Sequence, residues 1–302
     1  MYISYSADKV FSDCPRSYYH KYVDKTPLPK PDNRVHMLYG DVVGKIFEAF
    51  YRDQLWKGDP LANLLALVRP TLKRVVEDET RKGGVLNWNE PGLKEGTRSL
   101  AEIEHEVRET IPWGLKSIKH HRLLGNGAQA EMVLDTDVEG HRIGGRADFV
   151  LRRFEPHGDL VIVDGKGSRW GAKYTNTRQL RWYAMLYWLK FGEVPARLGF
   201  LFWRYKPEES MAWSTVTLTD LEVLKTAILS TIKEIETAKQ TLVQLGPKAK
   251  PGAVFLAKPG GDCKLCGYLP ICPEGTRALT QDIKFEIAEA SQRGVEDGEV
   301  SF

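Results

Sequence analysis

Between Ser6 and Trp56 the apolar residues recur at three- and four-residue intervals, the spacing that gives a helix one buried face. Ser6, just ahead of Ala7-Asp8-Lys9-Val10-Phe11, is placed to open a helix that continues through Cys14, Tyr18, Tyr19 and Tyr22 and ends before the proline-bearing segment Pro27 to Pro31. A second helix is predicted from about Leu38 to Trp56, burying Val43, Phe47 and Phe50, and closes an N-terminal region of residues 1–60. Leu61 to Lys119 keeps the helical pattern with breaks at Gly83-Gly84 and Pro91-Gly92, and reads as a helical insertion over 61–125.

From Gln129 the period falls to two. Met132, Leu134 and the turn pair Glu139-Gly140 predict two antiparallel strands, with Ile143 to Leu151 as the return. Val161-Ile162-Val163 is short, apolar and β-branched, the composition of a central strand buried on both faces. A helix over Thr175 to Lys190, strands over Leu198 to Tyr205 and Ala212 to Leu218, and a long helix over Thr219 to Gln244 complete an α/β core of residues 126–245 with a mixed sheet. Gly, Pro and Lys dominate Gly246 to Gly261, a loop that opens a cysteine-bearing segment over 246–280, and an acidic tail occupies 281–302.

The 302 residues, 42% hydrophobic and 27% charged, have the composition of an ordinary globular protein. No apolar run approaches the roughly 20 residues that cross a bilayer, and Met1-Tyr2-Ile3-Ser4-Tyr5 has neither a basic nor an apolar leader region, so a cytoplasmic location is expected. A net charge of +3 does not argue for nucleic acid, but its distribution is uneven. Basic residues are in excess from Gly144 to Lys190, and acidic ones from Asp282 to Phe302. Within the basic stretch, Arg146, Arg169, Lys173, Arg178 and Arg181 are candidates to line a phosphate backbone, and Trp170, Tyr174 and Trp182 to stack bases of a single strand. No base-reading motif and no Gly-x-x-x-x-Gly-Lys-Ser/Thr loop is present, so ATP-driven unwinding would need a partner.

The basic stretch also carries the candidate chemistry. Asp164 and Lys166 end the apolar run Val161 to Val163 two places apart, so they share a strand face. Asp148 ends the polar stretch of the neighbouring strand. Two carboxylates brought together repel unless a cation lies between them, and hard oxygen ligands suit Mg²⁺ or Mn²⁺. Such a metal can make a nucleophile from water near neutral pH and stabilise a phosphorane. Gln179 and Tyr183 are four apart on the following helix, one amide and one phenol on a common face.

Asp148, Asp164-Gly165-Lys166 and Gln179-x-x-x-Tyr183 together resemble the Asp…(Asp/Glu)-x-Lys…Gln-x-x-x-Tyr series of PD-(D/E)XK nucleases of the RecB type. The resemblance implies a restriction-endonuclease-like core. It makes Asp148, Asp164 and the main-chain carbonyl of Gly165 the metal ligands, Lys166 the group that orients or deprotonates the attacking water, and Glu131, Gln179 and Tyr183 further members of the catalytic set. One position departs from the family: its helix motif Gly-x-x-x-His supplies a ligating imidazole, and Gly40-Asp41-Val42-Val43-Gly44 ends in glycine, with Asp41 and Glu48 one turn to either side.

Cys263-x-x-Cys266 followed by Cys272-Pro273 places three thiols within ten residues, and Cys14 is the remaining cysteine. A zinc ribbon brings two close pairs, so this spacing is unusual for zinc, and buried unligated thiols are a further alternative. The set resembles the iron–sulfur clasp of AddB and of CRISPR-associated RecB-like exonucleases, which implies a 4Fe-4S cluster on Cys14, Cys263, Cys266 and Cys272 that joins the two ends of the chain. The expectation is a metal-dependent, single-strand-preferring DNA exonuclease of recombination, repair, phage DNA processing or CRISPR adaptation, served by a helicase or CRISPR-adaptation partner. A DNA-binding clamp that has lost activity and an endonuclease subunit of a larger complex are the alternatives.

Overall fold

The computed structural model describes residues 1–29, 35–82, 86, 88, 99–124, 127–154, 158–168, 171 and 176–281. In chain order its elements begin with β1 (Tyr2–Ser4), α1 (Tyr5–Asp13), α2 (Pro15–Tyr18), α3 (Val35–Arg52), α4 (Pro60–Arg81) and α5 (Leu100–His120). They continue with β2 (Ala128–Val133), β3 (Thr136–Val138), β4 (His141–Gly144), β5 (Arg146–Phe154), β6 (Asp159–Lys166), α6 (Arg178–Phe191), β7 (Arg197–Phe202), β8 (Met211–Ser214) and α7 (Leu218–Gln244). The chain forms two compact units: Met1–Tyr5 with Asn33–Ser230, and Ser6–Asp32 with Thr231–Phe302.

The first unit contains a five-stranded sheet in the order β2-β5-β6-β7-β8, in which β6 and β7 are parallel and every other neighbouring pair is antiparallel. Mixed pairing follows from the connections: α6 carries the chain over between β6 and β7, whereas β7 and β8 are joined by a short link. The run Leu160–Val163 is buried throughout, as a central strand covered on both faces must be. Val161 and Val163 share one face with Phe149, Leu151, Leu201 and Trp203, and these pack against Val43, Phe47 and Phe50 of α3 and the apolar stripes of α4 and α5. The opposite face, which carries Asp148, Asp164 and Lys166, is met by α6.

The helices begin where local chemistry starts them. Asp59 accepts from the N–H groups of Leu61 and Ala62 at the head of α4, and Ser99 and Glu102 form a reciprocal capping box at the head of α5. Residues 83–85, 87 and 89–98, which include the expected break at Pro91-Gly92, lie outside the described residues.

The structure corrects the expected return strand. The return strand predicted from Ile143 to Leu151 is two strands, β4 and β5, divided at Gly145 and belonging to different sheets. β4 pairs with β3 across Glu139-Gly140 and with β1 in a three-stranded sheet of order β1-β4-β3. Both turn residues adopt positive φ, 51° and 79°, as a two-residue hairpin requires. The apolar alternation runs on through Gly144-Gly145, so periodicity does not reveal the break.

In the second unit the N-terminal and C-terminal segments hold each other. Arg16 Nε donates to Phe255 O at 2.9 Å, Arg16 pairs with Glu274 at 3.3 Å, and Lys258 Nζ donates to Ser12 O at 2.9 Å. Tyr19 packs on Phe255 and His20 stacks on Tyr268, with ring centroids 5.2 Å apart in each pair. The helix expected through Tyr22 is interrupted at Cys14-Pro15 and ends as a wide turn over Tyr19–Val23. The acidic tail, residues 282–302, lies outside the described residues.

Candidate active site

Ladder register brings the candidate carboxylates together. β5 and β6 pair Phe149 with Val163 and Val150 with Ile162, so the next step along the ladder sets Asp148 beside Asp164 on the α6 face. The Gly165 N–H donates to Asp148 Oδ2 at 2.9 Å, which fixes the carboxylate against the end of β6. Asp164 is 1% exposed, and its Oδ2 stands 2.5 Å from Lys166 Nζ. That contact pairs the charges without meeting hydrogen-bond geometry at this buried oxygen.

Burial disfavours the charged form of both acids, and their repulsion adds to it. Asp148 is pushed up to about 8, first by burial and then by the Asp164 carboxylate, against the opposing pull of the Gly165 N–H and the Lys166 ammonium. Asp164 is also raised by burial, opposed by Lys166. The pair therefore resists holding two negative charges and would be relieved by a cation.

Lys166 extends toward α6. Its ammonium donates to Gln179 Oε1 at 3.0 Å, and Gln179 Nε2 donates to Tyr183 Oη at 3.0 Å. Burial holds the Tyr183 phenol above its ordinary range, so it stays a neutral hydroxyl. The helical spacing of four thus makes a relay in which Tyr183 orients the amide and the amide orients the lysine. Gly145 lets the helix come this close, since a Cβ there would stand 3.1 Å from Tyr183 and 3.3 Å from Leu186.

Glu131 lies on β2, next to β5, and the register Ala130 with Phe149 and Met132 with Ala147 places it opposite Asp148. Its backbone is left-handed, φ 52°, and the Ala130–Met132 pairing skips it. Its carboxylate accepts from Arg146 at 3.0 Å, and its pKa is raised by burial and by Glu48, against Arg146 and Lys45. Among the described residues no group of three or more His, Cys, Asp and Glu side chains is arranged to hold a metal ion. A Mg²⁺ or Mn²⁺ site here would rest on the two aspartates, with the Gly165 carbonyl and water as further oxygen donors, a set that suits hard cations that keep part of their hydration.

Gly44 is exposed on α3, with nothing within 4 Å of where its side chain would start. Its face of the helix runs beside the site. One turn earlier, Gly40 is so near the chain after Lys166 that a Cβ on Gly167 would lie 2.8 Å from Gly40 Cα, and one turn later Glu48 acts on Glu131.

Of the residues proposed to contact DNA, Arg146 keeps 62% of its side chain exposed while pairing with Glu131. Arg178 and Arg181 are half-buried at the start of α6, and Arg169 and Lys173 lie outside the described residues. Trp182 does not serve as a stacking platform: it is fully buried and donates through Nε1 to Gly144 O at 3.2 Å. Trp170 and Tyr174 are outside the described residues.

Two neighbours of the site were not legible in the sequence. Trp203 lies beneath Gly165, where a Cβ would be 2.7 Å from the indole, and stacks on Phe47 at 4.1 Å with the rings 9° apart. Arg204 donates from Nε to Gly167 O at 2.8 Å, pairs with Glu106, and lies 3.4 Å over the Tyr39 ring. Only their place at the end of the strand beside β6 could have signalled them.

The four cysteines are all free, partly buried and in the second unit. Cys263 Sγ and Cys272 Sγ both lie against Gly275, 3.4 and 3.5 Å from where a Cβ would stand. Backbone N–H groups point at both sulfurs, from Gly260 to Cys263 and from Gly275 to Cys272, at 3.4 Å each. Burial raises the Cys272 thiol, and the nearby Cys14 adds to the shift.

Residues 2–273 match the family profile of the PD-(D/E)XK nuclease superfamily. The chain belongs to that superfamily. The mixed α/β sheet flanked by helices is consistent with the restriction-endonuclease-like core of a PD-(D/E)XK nuclease. No curated protein gives a significant match. Among solved structures, the chain is similar to an exonuclease candidate from Eubacterium rectale at 12% identity and a TM-score of 0.44, covering 87% of this chain and 92% of that one. A protein designated SSO0001 aligns at 15% identity and a TM-score of 0.29, covering 86% and 93%. No helix among the described residues is long and apolar enough to cross a membrane.

Proposed function

We propose that this PD-(D/E)XK nuclease is a Mg²⁺- or Mn²⁺-dependent deoxyribonuclease acting as a single-strand-preferring exonuclease. One observation carries the reading: Asp148 and Asp164 meet on one sheet face with the Lys166 ammonium beside them, held in place by Gln179. Asp148, Asp164 and the Gly165 carbonyl would hold the cation, which when bound supplies an activated water and charge neutralisation at the phosphate. Lys166, aimed by Gln179 and backed by Asp164, orients that water or a phosphate oxygen and carries positive charge toward the developing phosphorane. Tyr183 keeps the amide of Gln179 from rotating. Arg146, Arg178 and Arg181 would contact the phosphate backbone of the strand, a role for which Arg169 and Lys173 are candidates by sequence alone.

In the second unit, Cys14, Cys263, Cys266 and Cys272 would ligate a 4Fe-4S cluster that ties the two chain segments of that unit. The amides directed at two of the sulfurs favour thiolate ligation, and such a cluster contributes stability by binding only the folded form. The cellular setting we infer is DNA recombination, repair, phage DNA processing or CRISPR adaptation in the cytoplasm, with unwinding left to a helicase partner.

The test is degradation of end-labelled single- and double-stranded DNA with Mg²⁺ or Mn²⁺. Lys166→Ala should lower the rate by about 10²–10⁴-fold, the usual contribution of a positioned proton-transfer group. Equal degradation by both proteins would overturn the site. Anaerobically purified protein should be brown and contain iron and sulfide; a colourless preparation with stoichiometric zinc would overturn the cluster.

A further inference from the structure

We infer that a groove beside α5 is a subsite for one unpaired nucleobase of the strand being cut, selecting bases that carry an amino group over thymine. The inference rests on the nuclease reading above and adds a ligand class to it.

The groove is open to solvent, has a volume of about 460 Å³ and is lined by Glu106, Glu109, Thr110, Trp113, Arg204 and Tyr205. Its location is set by hydrogen bonds. Arg204 Nε donates to Gly167 O at 2.8 Å, and Tyr205 Oη accepts from the Gly171 N–H at 2.9 Å. Two of its walls are therefore bonded to the segment that follows Lys166, and Gly167 is the very next residue. The groove thus adjoins the chain just after Lys166, where on this inference a base next to the scissile phosphate enters.

The lining suits a ring rather than a phosphate. Trp113 is 38% exposed on a helix whose Ile103, Val107, Ile111 and Ile118 are fully buried. The Lys116 ammonium lies 4.9 Å from the indole centroid, and Tyr205 adds a second aromatic side chain to the lining. Aromatic side chains of this kind are where unpaired bases stack.

The single cation of the lining is engaged three ways: Arg204 pairs with Glu106, bonds the Gly167 carbonyl and covers the Tyr39 ring. Glu109, exposed at the rim, offers the groove an acceptor, while Glu106 and Glu109 are matched by Arg204 and by Lys116 over Trp113, so the groove has no excess positive charge to draw a phosphate. An acceptor at the rim favours a ring with N–H donors. An ionised carboxylate only accepts. Adenine, cytosine and guanine offer it an amino group, whereas the hydrogen-bonding edge of thymine sets a carbonyl on each side of its one N–H. Because Arg204 joins the groove to Gly167, a seated base also fixes the register of the backbone at Lys166.

The experiment moves a single cytosine along an otherwise oligothymidine strand and compares the wild-type chain with Glu109→Gln and Trp113→Ala. Cleavage is measured with Mg²⁺ or Mn²⁺, and binding to metal-free protein by fluorescence anisotropy. In the wild type one cytosine position should raise kcat/KM and affinity by about tenfold over pure oligothymidine, the scale of one good base contact. Both substitutions, at exposed or half-exposed positions that should not disturb folding, should bring that ratio close to one. Indifference of the wild type to cytosine position, or an unchanged ratio in both variants, would overturn the subsite. If no strand is cut by the wild type, the nuclease reading fails, and the anisotropy arm then decides the groove by the same two outcomes.

Discussion

Gly165→Ala tests whether the strand end that carries Asp164 and Lys166 is held by the core beneath it. An added Cβ would stand 2.7 Å from Trp203 Cζ2, 2.9 Å from Nε1 and 3.0 Å from Cε2, all inside the roughly 3.5–4.0 Å of comfortable carbon contact. The indole has little room to retreat: it is 1% exposed, stacked on Phe47 at 4.1 Å, and edge-on to Phe149 at 6.0 Å. Overpacking of a filled core by one methyl costs about 1–3 kcal/mol. At about 2–4 °C per kcal/mol for domains of 150–250 residues, the melting temperature should fall by about 2–12 °C. Because the displaced backbone lies between Asp164 and Lys166, cleavage should fall by more than the population of unfolded protein explains. The assay is thermal unfolding followed by circular dichroism, with Trp203→Phe and the double variant completing a cycle. The phenyl ring lacks Cζ2, the nearest of the clashing atoms, so the double variant should be more stable than the sum of the two single losses predicts. A melting temperature within about 1 °C of the parent, or strict additivity in the cycle, would refute the reasoning.

In metal-free protein Asp148 titrates near 8 when folded and near about 3.9 when unfolded. The native state therefore holds the extra proton between those values, and stability falls as pH rises from about 4 to about 8. Asp148→Asn should flatten that slope while abolishing Mg²⁺-dependent stabilisation, which denaturant titrations at several pH values in EDTA and again with excess Mg²⁺ would read. Gly44→His should be accommodated without loss of stability, since its position is open and glycine is the poorer helix former. Calorimetry should show Mn²⁺ affinity raised by about tenfold, equivalent to about 1.4 kcal/mol; unchanged affinity would mean this face does not look at the cation. Ser99→Ala removes the hydroxyl that accepts from Glu102 N–H at 3.2 Å and leaves only the bond from the residue-99 backbone N–H to the Glu102 carboxylate at 2.6 Å. It should cost about 1 kcal/mol in equilibrium unfolding.

Several of these features could be read from the sequence because a local rule specifies them. Val161-Ile162-Val163 could hardly be anything but an inner strand, and it sets Asp164 and Lys166 on a common face by period alone. Gln179 and Tyr183 meet through helical spacing, without help from the rest of the fold. The division at Gly145 could not be read, because it depends on which partner strand each half finds: β1 and β3 for one, β2 and β6 for the other. Trp182 looked available for a base because its neighbours are basic, yet its position on α6 turns it inward to Gly144 O. Glu131 was legible as a strand acid but not as a left-handed residue, since side-chain pattern carries no information on φ at a single skipped pair. Arg204 was invisible because its three partners, Tyr39, Glu106 and Gly167, are brought together only by tertiary packing.

The second unit is assembled from residues 6–32 and from residues beyond 230. On the ribosome, Tyr19, His20 and Arg16 emerge early and must wait for Phe255, Tyr268 and Glu274. At translation speeds of about 5–20 residues per second, the intervening stretch of roughly 200 residues takes about 10–40 s to make. Throughout that interval the nascent N-terminus is a sticky, half-made surface, exposed to holdase chaperones and to proteases.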